Sequence, residues 1–343
     1  MTTLKRHLLS SSIWIRTMPA TWPEYCPKKT ELTVTEPEDN TRVEPGHAYT
    51  IPSNSYMELL DGRIRLREIS QQSGMRMPVD VFFRSLAQDQ QENAIGVVLS
   101  GSGSDGTLGM REIQGAGGMT MAQEPDTAEY GSMPRSAIST DAVDYVLPPK
   151  DLAEALVGYI KRVPSLEEAV QEDQSSGQTA IERILNIVAI RTDRNFAAYK
   201  RNTIRRRIER RMGINGKNDI WNYIQQLRQD PQEVDDLARE MLVCVTSFFR
   251  EPDAFESLRQ EVIRPVLSGR EQGDVIRAWC PACATGEEVY SLAILFQEEA
   301  ERQDQDCRLQ LFASDVENSV LETGRQGIYP ESISADISAQ RLN

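Results

Sequence analysis

The sequence predicts an α/β protein in which two α/β units flank a helical region. Three observations predict it. Ala94–Leu99 (AIGVVL) is a short, wholly apolar run, as expected of a strand buried on both faces of a parallel sheet. Strand-like runs at 118–122 and 143–147 follow at strand–helix–strand spacing, which implies right-handed crossovers. From Ile181 to about Leu258 the period is helical, and at Val275 a second strand–turn–helix–strand pattern begins.

Composition narrows the class. The 343 residues carry 38 Lys+Arg against 52 Asp+Glu, a formal charge of −14, with 39% hydrophobic residues. That describes an ordinary folded chain of about two to three domains and argues against a general nucleic-acid binder. Five cysteines, an odd number, do not make a disulfide framework, so a reducing cytoplasm is the expected compartment. No apolar run approaches the ~20 residues of a membrane span. The basic start and short apolar patch of residues 1–20 are interrupted by serines and fall short of a signal peptide.

The elements follow in order. Residues 1–40 are atypical, with Pro19, Pro23, Pro27 and Pro37 breaking every candidate helix. Tyr49–Pro52 and Arg63–Leu66 read as strands with Asp61-Gly62 as the turn between them. Val79–Leu86 is an amphipathic helix, and a further helix lies around Leu108–Gln114. Acidic, polar residues 163–179 form an interdomain linker. The second α/β unit runs through strand VIRAWC, a small-residue turn, helix EEVYSLAILFQEE and strand LQLFASD. In that helix Val289, Leu292, Ala293 and Phe296 are spaced to pack one apolar face on the sheet.

Between the first strand and its helix, Gly101, Gly103 and Gly106 satisfy G-x-G-x-x-G, with Glu124 and Asp126 about 20 residues on. Taken alone, the loop fits a dinucleotide site, a plain glycine turn or a catalytic loop. Its neighbours favour the third. Leu99–Gly106, Ala122–Pro149 and Glu44–Pro52 together resemble the chemotaxis receptor methylesterases (CheB-type). The resemblance implies a doubly wound parallel-sheet domain over residues 41–162 that hydrolyses methyl esters of receptor glutamates with a Ser-His-Asp triad. The family's triad Asp falls on Asp105, where a carboxylate holds the histidine's tautomer. The chain departs from the pattern at the other two members. No Ser-x-Gly-Gly turn stands upstream, and the histidines are His7, without the family's flanks, and His47, at a turn position outside the triad. An esterase domain lacking its Ser and His, and shortened at its start, is therefore expected.

Residues 199–212 (YKRNTIRRRIERRM) carry seven basic residues against Glu209 alone. Ile204, Ile208 and Met212 supply a buried stripe and leave the arginines on the other faces. Such a run is most simply a solvated face. Nucleic acid is a poorer fit than an acidic partner helix, since only Tyr199 supplies an aromatic and guanidinium groups pair bidentately with carboxylates.

Cys280-Pro-Ala-Cys283 invites zinc or redox chemistry, but no further Cys pair or His pair completes four ligands. No metal site is expected. Instead Tyr199–Met212, Val245–Pro252, Trp279–Ser291, Phe312–Val316 and Gly327–Glu331, in that order, resemble the chemotaxis receptor glutamate methyltransferases (CheR-type). That resemblance implies a helical receptor-binding domain at 180–258 and a Rossmann-like S-adenosylmethionine-binding domain at 259–343, of which the first part is expected. It implies cofactor contacts at Thr246, Arg250, Gly286, Glu287, Glu288 and Asp315, with Arg250 also at the reacting centre. Gly286 would admit the methionine portion, Glu287 or Glu288 its ammonium, and Asp315 the ribose hydroxyls. Cys244 replaces the family's usual Asn. Lys200, Arg207, Arg210 and Arg211 become candidate contacts to the cytoplasmic helices of chemoreceptors. The chain is thus identified as a methylesterase–methyltransferase fusion, expected to be short of its adenine-side strands. A catalytically inactive receptor-binding module and an NAD-binding oxidoreductase are the alternative functions.

Overall fold

The computed structural model describes residues 32–69, 76–140, 142–162, 179–242, 245–271 and 273–342. His7, Cys244 and nearly all of the expected linker lie outside them. The contacts group the chain into two compact units, Met1–Val243 and Cys244–Asn343. The division falls ahead of Leu258, where the sequence reading ends the helical domain.

In the first unit, β1 (Thr33–Thr35) pairs in parallel with β2 (His47–Tyr49), and β3 (Ser55–Leu60) pairs antiparallel with β4 (Arg63–Glu68). Asp61 and Gly62 close this hairpin with φ of 50° and 68°, as a two-residue loop matching the strand twist requires. The strand entering the turn is Ser55–Leu60, not Tyr49–Pro52. Pro52 has no N–H for a ladder, whereas Met57 and Leu59 alternate into the core opposite Leu66 and Ile64.

Next come α1 (Pro78–Gln90), β5 (Ile95–Val98), α2 (Thr107–Ala116), β6 (Met119–Gln123), α3 (Ser132–Ile138), β7 (Tyr145–Leu147) and α4 (Pro149–Arg162). Strands β5, β6 and β7 form one parallel sheet in that order. Both faces are covered. Phe82, Phe83, Met110 and Ile113 belong to a core on one side, and Met119, Met121, Leu152 and Tyr159 to another. Helices α1 and α2 approach so closely that a Cβ on Gly109 would stand 2.3 Å from Phe83 Cβ. Only glycine fits there.

The unit continues through α5 (Ala180–Thr192), α6 (Arg201–Ile214), α7 (Ile220–Gln229) and α8 (Pro231–Met241). Thr179 and Glu182 make a reciprocal capping box at the start of α5, and Asp219 and Asp230 cap α7 and α8. Ile204, Ile208 and Met212 enter this all-helical core as their spacing requires.

The second unit holds α9 (Pro252–Leu258), a π-helical turn (Arg259–Ile263), α10 (Arg264–Ser268), β8 (Val275–Pro281), α11 (Glu287–Arg302), β9 (Arg308–Ser314), α12 (Asn318–Gln326) and α13 (Ala339–Leu342). Strands β8 and β9 pair in parallel across α11, a βαβ unit. The buried stripe of α11 is rotated from the expected one. It runs through Glu287, Ser291, Leu295 and Glu299 with Phe296 and Ala300, while Val289 and Ala293 are only half-buried. Polar members hide this stripe from a hydrophobicity pattern: Ser291 bonds Phe249 N, and Glu299 is ringed by Arg259, Arg264 and Arg302. Among the described residues no helix is long and apolar enough to cross a membrane.

Candidate functional site

The turn between β8 and α11 carries the first group of expected residues. Ala282, Ala284 and Gly286 all take positive φ (53°, 43° and 95°), so the chain reverses sharply before the helix. Left-handed backbone at two alanines costs of order 1–3 kcal/mol each and collects at ligand-binding sites. Gly286 is the N-cap of α11, and a Cβ there would press on Gly324 Cα at 3.1 Å and the Tyr329 hydroxyl at 3.0 Å. Glu287 is buried, its Oε2 accepting from Thr285 Oγ1 at 2.5 Å, whereas Glu288 is half-buried beside it.

Asp315, just past β9, reaches this turn directly. Its Oδ2 accepts from Ala284 N at 2.9 Å and its Oδ1 from Glu317 N at 3.0 Å. The acid at one strand end and the small-residue turn at the other are thereby joined, and each carboxylate oxygen retains a further lone pair. Burial and the neighbouring Asp315 and Glu288 push the Cys283 thiol up, and burial and Glu288 do the same at Cys280. Both stay protonated, the opposite of a reactive C-x-x-C pair.

The segment before α9 lies in the same unit. Phe249 and Glu251 also have positive φ, 50° and 59°. The Arg250 side chain is exposed and donates from Nη1 to Val245 O at 2.5 Å. Thr246 is 8% exposed, yet its Oγ1 finds no hydrogen-bond partner among the described residues. An unpaired buried hydroxyl is costly, and it is available to a ligand group. Sequence reasoning missed Tyr329, whose hydroxyl donates to Thr285 O at 2.7 Å and whose ring meets those of Phe248 and Tyr290 edge-on. It sits inside the Gly327–Glu331 stretch, the one signal that could have found it.

Asp105 ends the glycine loop of the first unit. Its Oδ2 and Oδ1 accept from Val79 N (3.0 Å) and Asp80 N (2.9 Å), so it caps α1, while Asp80 Oδ1 accepts from Gly109 N in α2 at 2.7 Å. Burial pushes the Asp105 carboxyl up against the pull of the amides of Val79, Asp80 and Gly106. Two amides that a nucleotide would need are spent within the fold: Gly101 N donates to Tyr130 O and Gly103 N to Ser132 Oγ. His47 lies in β2, with Nδ1 3.2 Å from Pro45 O.

The basic helix α6 differs from its expected disposition. Lys200 is exposed at its N-cap, but Arg207 and Arg210 are 5% and 2% exposed, because α6 has two inward faces. Their acidic partners belong to this chain: Arg207 pairs with Glu240, and Arg210 with Asp144 and Glu240. Arg211, half-buried, pairs with Glu233 and Asp236 of α8.

Comparison with known proteins matches three family models along the chain: CheB methylesterase over residues 16–156, the CheR methyltransferase all-alpha domain over 179–242, and the CheR methyltransferase SAM binding domain over 244–343. A Rhodobacter capsulatus protein described as an uncharacterized 104.1 kDa protein in the hypE 3'region is 36% identical over 331 residues, 90% of this chain and 35% of that protein. A protein-glutamate methylesterase/protein-glutamine glutaminase of Pectobacterium atrosepticum is 39% identical over 137 residues, 39% of each chain. The chain thus spans between a third and two fifths of the length of these relatives. The crystal structure of the Thermotoga maritima CheB methylesterase catalytic domain covers 42% of this chain and 81% of its own at 29% identity, with a TM-score of 0.39.

Proposed function

Because one chain here joins a CheB methylesterase segment to the all-alpha and S-adenosylmethionine-binding domains of a CheR methyltransferase, we propose that it transfers methyl groups to glutamate side chains on the cytoplasmic helices of chemoreceptors. The observation that carries the reading is the Ala284–Asp315 hydrogen bond, which brings the glycine turn and the strand-end acid to one place. The cofactor is S-adenosylmethionine, which when bound supplies an electrophilic methyl group. The residues present fit it. Thr246 offers an unspent buried hydroxyl, the positive-φ turn brings backbone close, and Asp315 offers acceptors for ribose hydroxyls. Glu287 and Glu288 set negative charge at the start of α11, suited to an ammonium group. Arg250 is exposed, with one guanidinium nitrogen on Val245 O, and its remaining donors suit a substrate carboxylate. The chain's own contribution is alignment, since bringing two reactants together in register removes most of the barrier it can remove.

The methylesterase reading extends to Asp105 alone. The described histidine, His47, is not its partner in the reading we favour: His47 lies in β2 with Nδ1 toward Pro45 O, and Asp105 serves the α1 cap. An Asp without a base and nucleophile to orient does no acyl-transfer chemistry. Calorimetric titration with S-adenosylmethionine tests the first part, with weak binding expected and lost in Asp315→Ala. No binding, or binding indifferent to Asp315, removes the proposal. For the second part, residues 1–343 should release no methanol from methylated receptor. Release abolished by Asp105→Ala would restore a working triad.

A further inference from the structure

The interior of the first unit holds a charge cluster that the methyl-transfer reading does not use. Arg207 of α6 donates from Nη1 to Gln114 O at 2.7 Å and from Nη2 to Gly115 O, the last carbonyls of α2. These carry the negative end of the helix dipole, and Gln114 O also accepts from the C-cap amide of Gly117. One helical step on, Arg210 donates from Nε to Gly118 O at 2.8 Å and grips the Asp144 and Glu240 carboxylates. Asp144 is itself anchored by Thr120 N and Oγ1, at 2.9 and 2.8 Å. Burial works against the Arg210 charge, but Asp144 and Glu240 outweigh it, so the guanidinium stays firmly protonated.

The cluster continues into apolar contact. The Tyr145 hydroxyl donates to Ile214 O at 2.9 Å, and Ile214 packs with Met119, Met121 and Tyr159. A Cβ on Gly213 would stand 2.9 Å from the Tyr159 ring, so α6 lies directly on that ring. At the outer edge Arg206 is 3.2 Å from Glu92.

We propose that the esterase-type segment is the docking platform of the methyltransferase-type helical domain, with Arg207 and Arg210 as the bracket that holds α6 across the end of α2 and the β6–β7 edge. The inner face of the basic helix is then committed within the chain. An external acidic helix meets only the outer residues, Lys200 and Arg201 foremost. This role stands independently of methyl transfer, and its failure leaves the cofactor reading intact.

Hydrogen exchange read by mass spectrometry on the full chain tests it. In Arg207→Gln and Arg210→Gln, amides of residues 113–120 and 144–147 should lose protection at least tenfold together with α6, while hairpin β3–β4 keeps its own. Arg210→Lys keeps the charge but not the planar fork, and Tyr145→Phe removes one hydrogen bond. Both should fold and show a smaller loosening in the same peptides. Unchanged exchange there in all four variants overturns the bracket. Salt gives a second readout, because buried pairs are screened far less than exposed ones. Protection of residues 113–120 should survive ~1 M NaCl, and its loss at that concentration would show a mere surface encounter.

Discussion

Thr246→Val should make the protein more stable and a poorer binder of S-adenosylmethionine. The side chain is 8% exposed, and its hydroxyl has no partner among the described residues. Leaving a buried hydroxyl unpaired costs about 1–3 kcal/mol, while valine matches the shape of threonine with a methyl in its place. A gain of ~1 kcal/mol is expected, discounting for partial solvent access, which in a unit of this size raises the midpoint of thermal unfolding by roughly 4–8 °C. Cofactor binding moves the other way. One lost hydrogen bond of about 0.5–1.5 kcal/mol weakens affinity roughly two- to tenfold. Calorimetric unfolding and titration on the same preparations decide the matter. A variant that is less stable, or that binds the cofactor as tightly as the parent, refutes the claim that this hydroxyl is held in reserve for a ligand.

Gly286→Ala should lower both stability and cofactor affinity, because φ of 95° is foreign to alanine and its Cβ meets Gly324 Cα at 3.1 Å. The left-handed conformation alone costs roughly 1–2 kcal/mol, and chemical denaturation of the second unit should show it. Asp105→Ala should destabilise the first unit by about 1 kcal/mol through the lost α1 cap, a deficit that a purely catalytic residue would not produce. The Asp105 carboxyl is raised in the folded protein, so folding favours its protonated form. Its contribution to stability should therefore decline as pH rises from the ordinary carboxylate range through the raised value. Comparing parent and Asp105→Asn across pH 3–7 isolates it, and parallel curves would remove the assignment.

The strands β5, β6 and β8 were legible because each is a mostly apolar run bounded by glycine or small residues, and such runs need a sheet to bury them. Strand β3 was not. Tyr56 and Leu60, apolar on the face opposite Met57 and Leu59, blur its alternation, and the partner that makes the alternation useful, β4, lies across the turn. Helix α4 was hidden by Pro148-Pro149, which reads as a stop. Pro149 in fact occupies the first helical position, where the missing N–H is not needed. At the candidate site, Gly286, Glu287 and Asp315 were expected from family resemblance, and Asp315 is bonded to the turn that carries the other two. Tyr329 could not be named as a turn-bracing residue, because its hydroxyl returns to Thr285 O by a tertiary path that no local pattern encodes.

The basic helix shows why charge is harder to read than hydrophobicity. A run of arginines is ordinarily left in water, since burying a guanidinium without partners costs several kcal/mol. Three features overturn that default here, two of them supplied by distant parts of the chain. Arg207, Arg210 and Ile214 recur at i, i+3 and i+7, so they form a second inward stripe that ends in an apolar residue. The end of α2 presents carbonyls, at the negative end of its dipole, that Arg207 can reach. Asp144 and Glu240 supply the negative charge, and Asp144 is held by Thr120 as well. Arginine suits this task where lysine does not, because one planar fork can meet a carbonyl and two carboxylates at once. A stripe that mixes arginine with an isoleucine at helical spacing is therefore worth reading as a docking face wherever a neighbouring helix end and a strand-edge acid lie within the same chain.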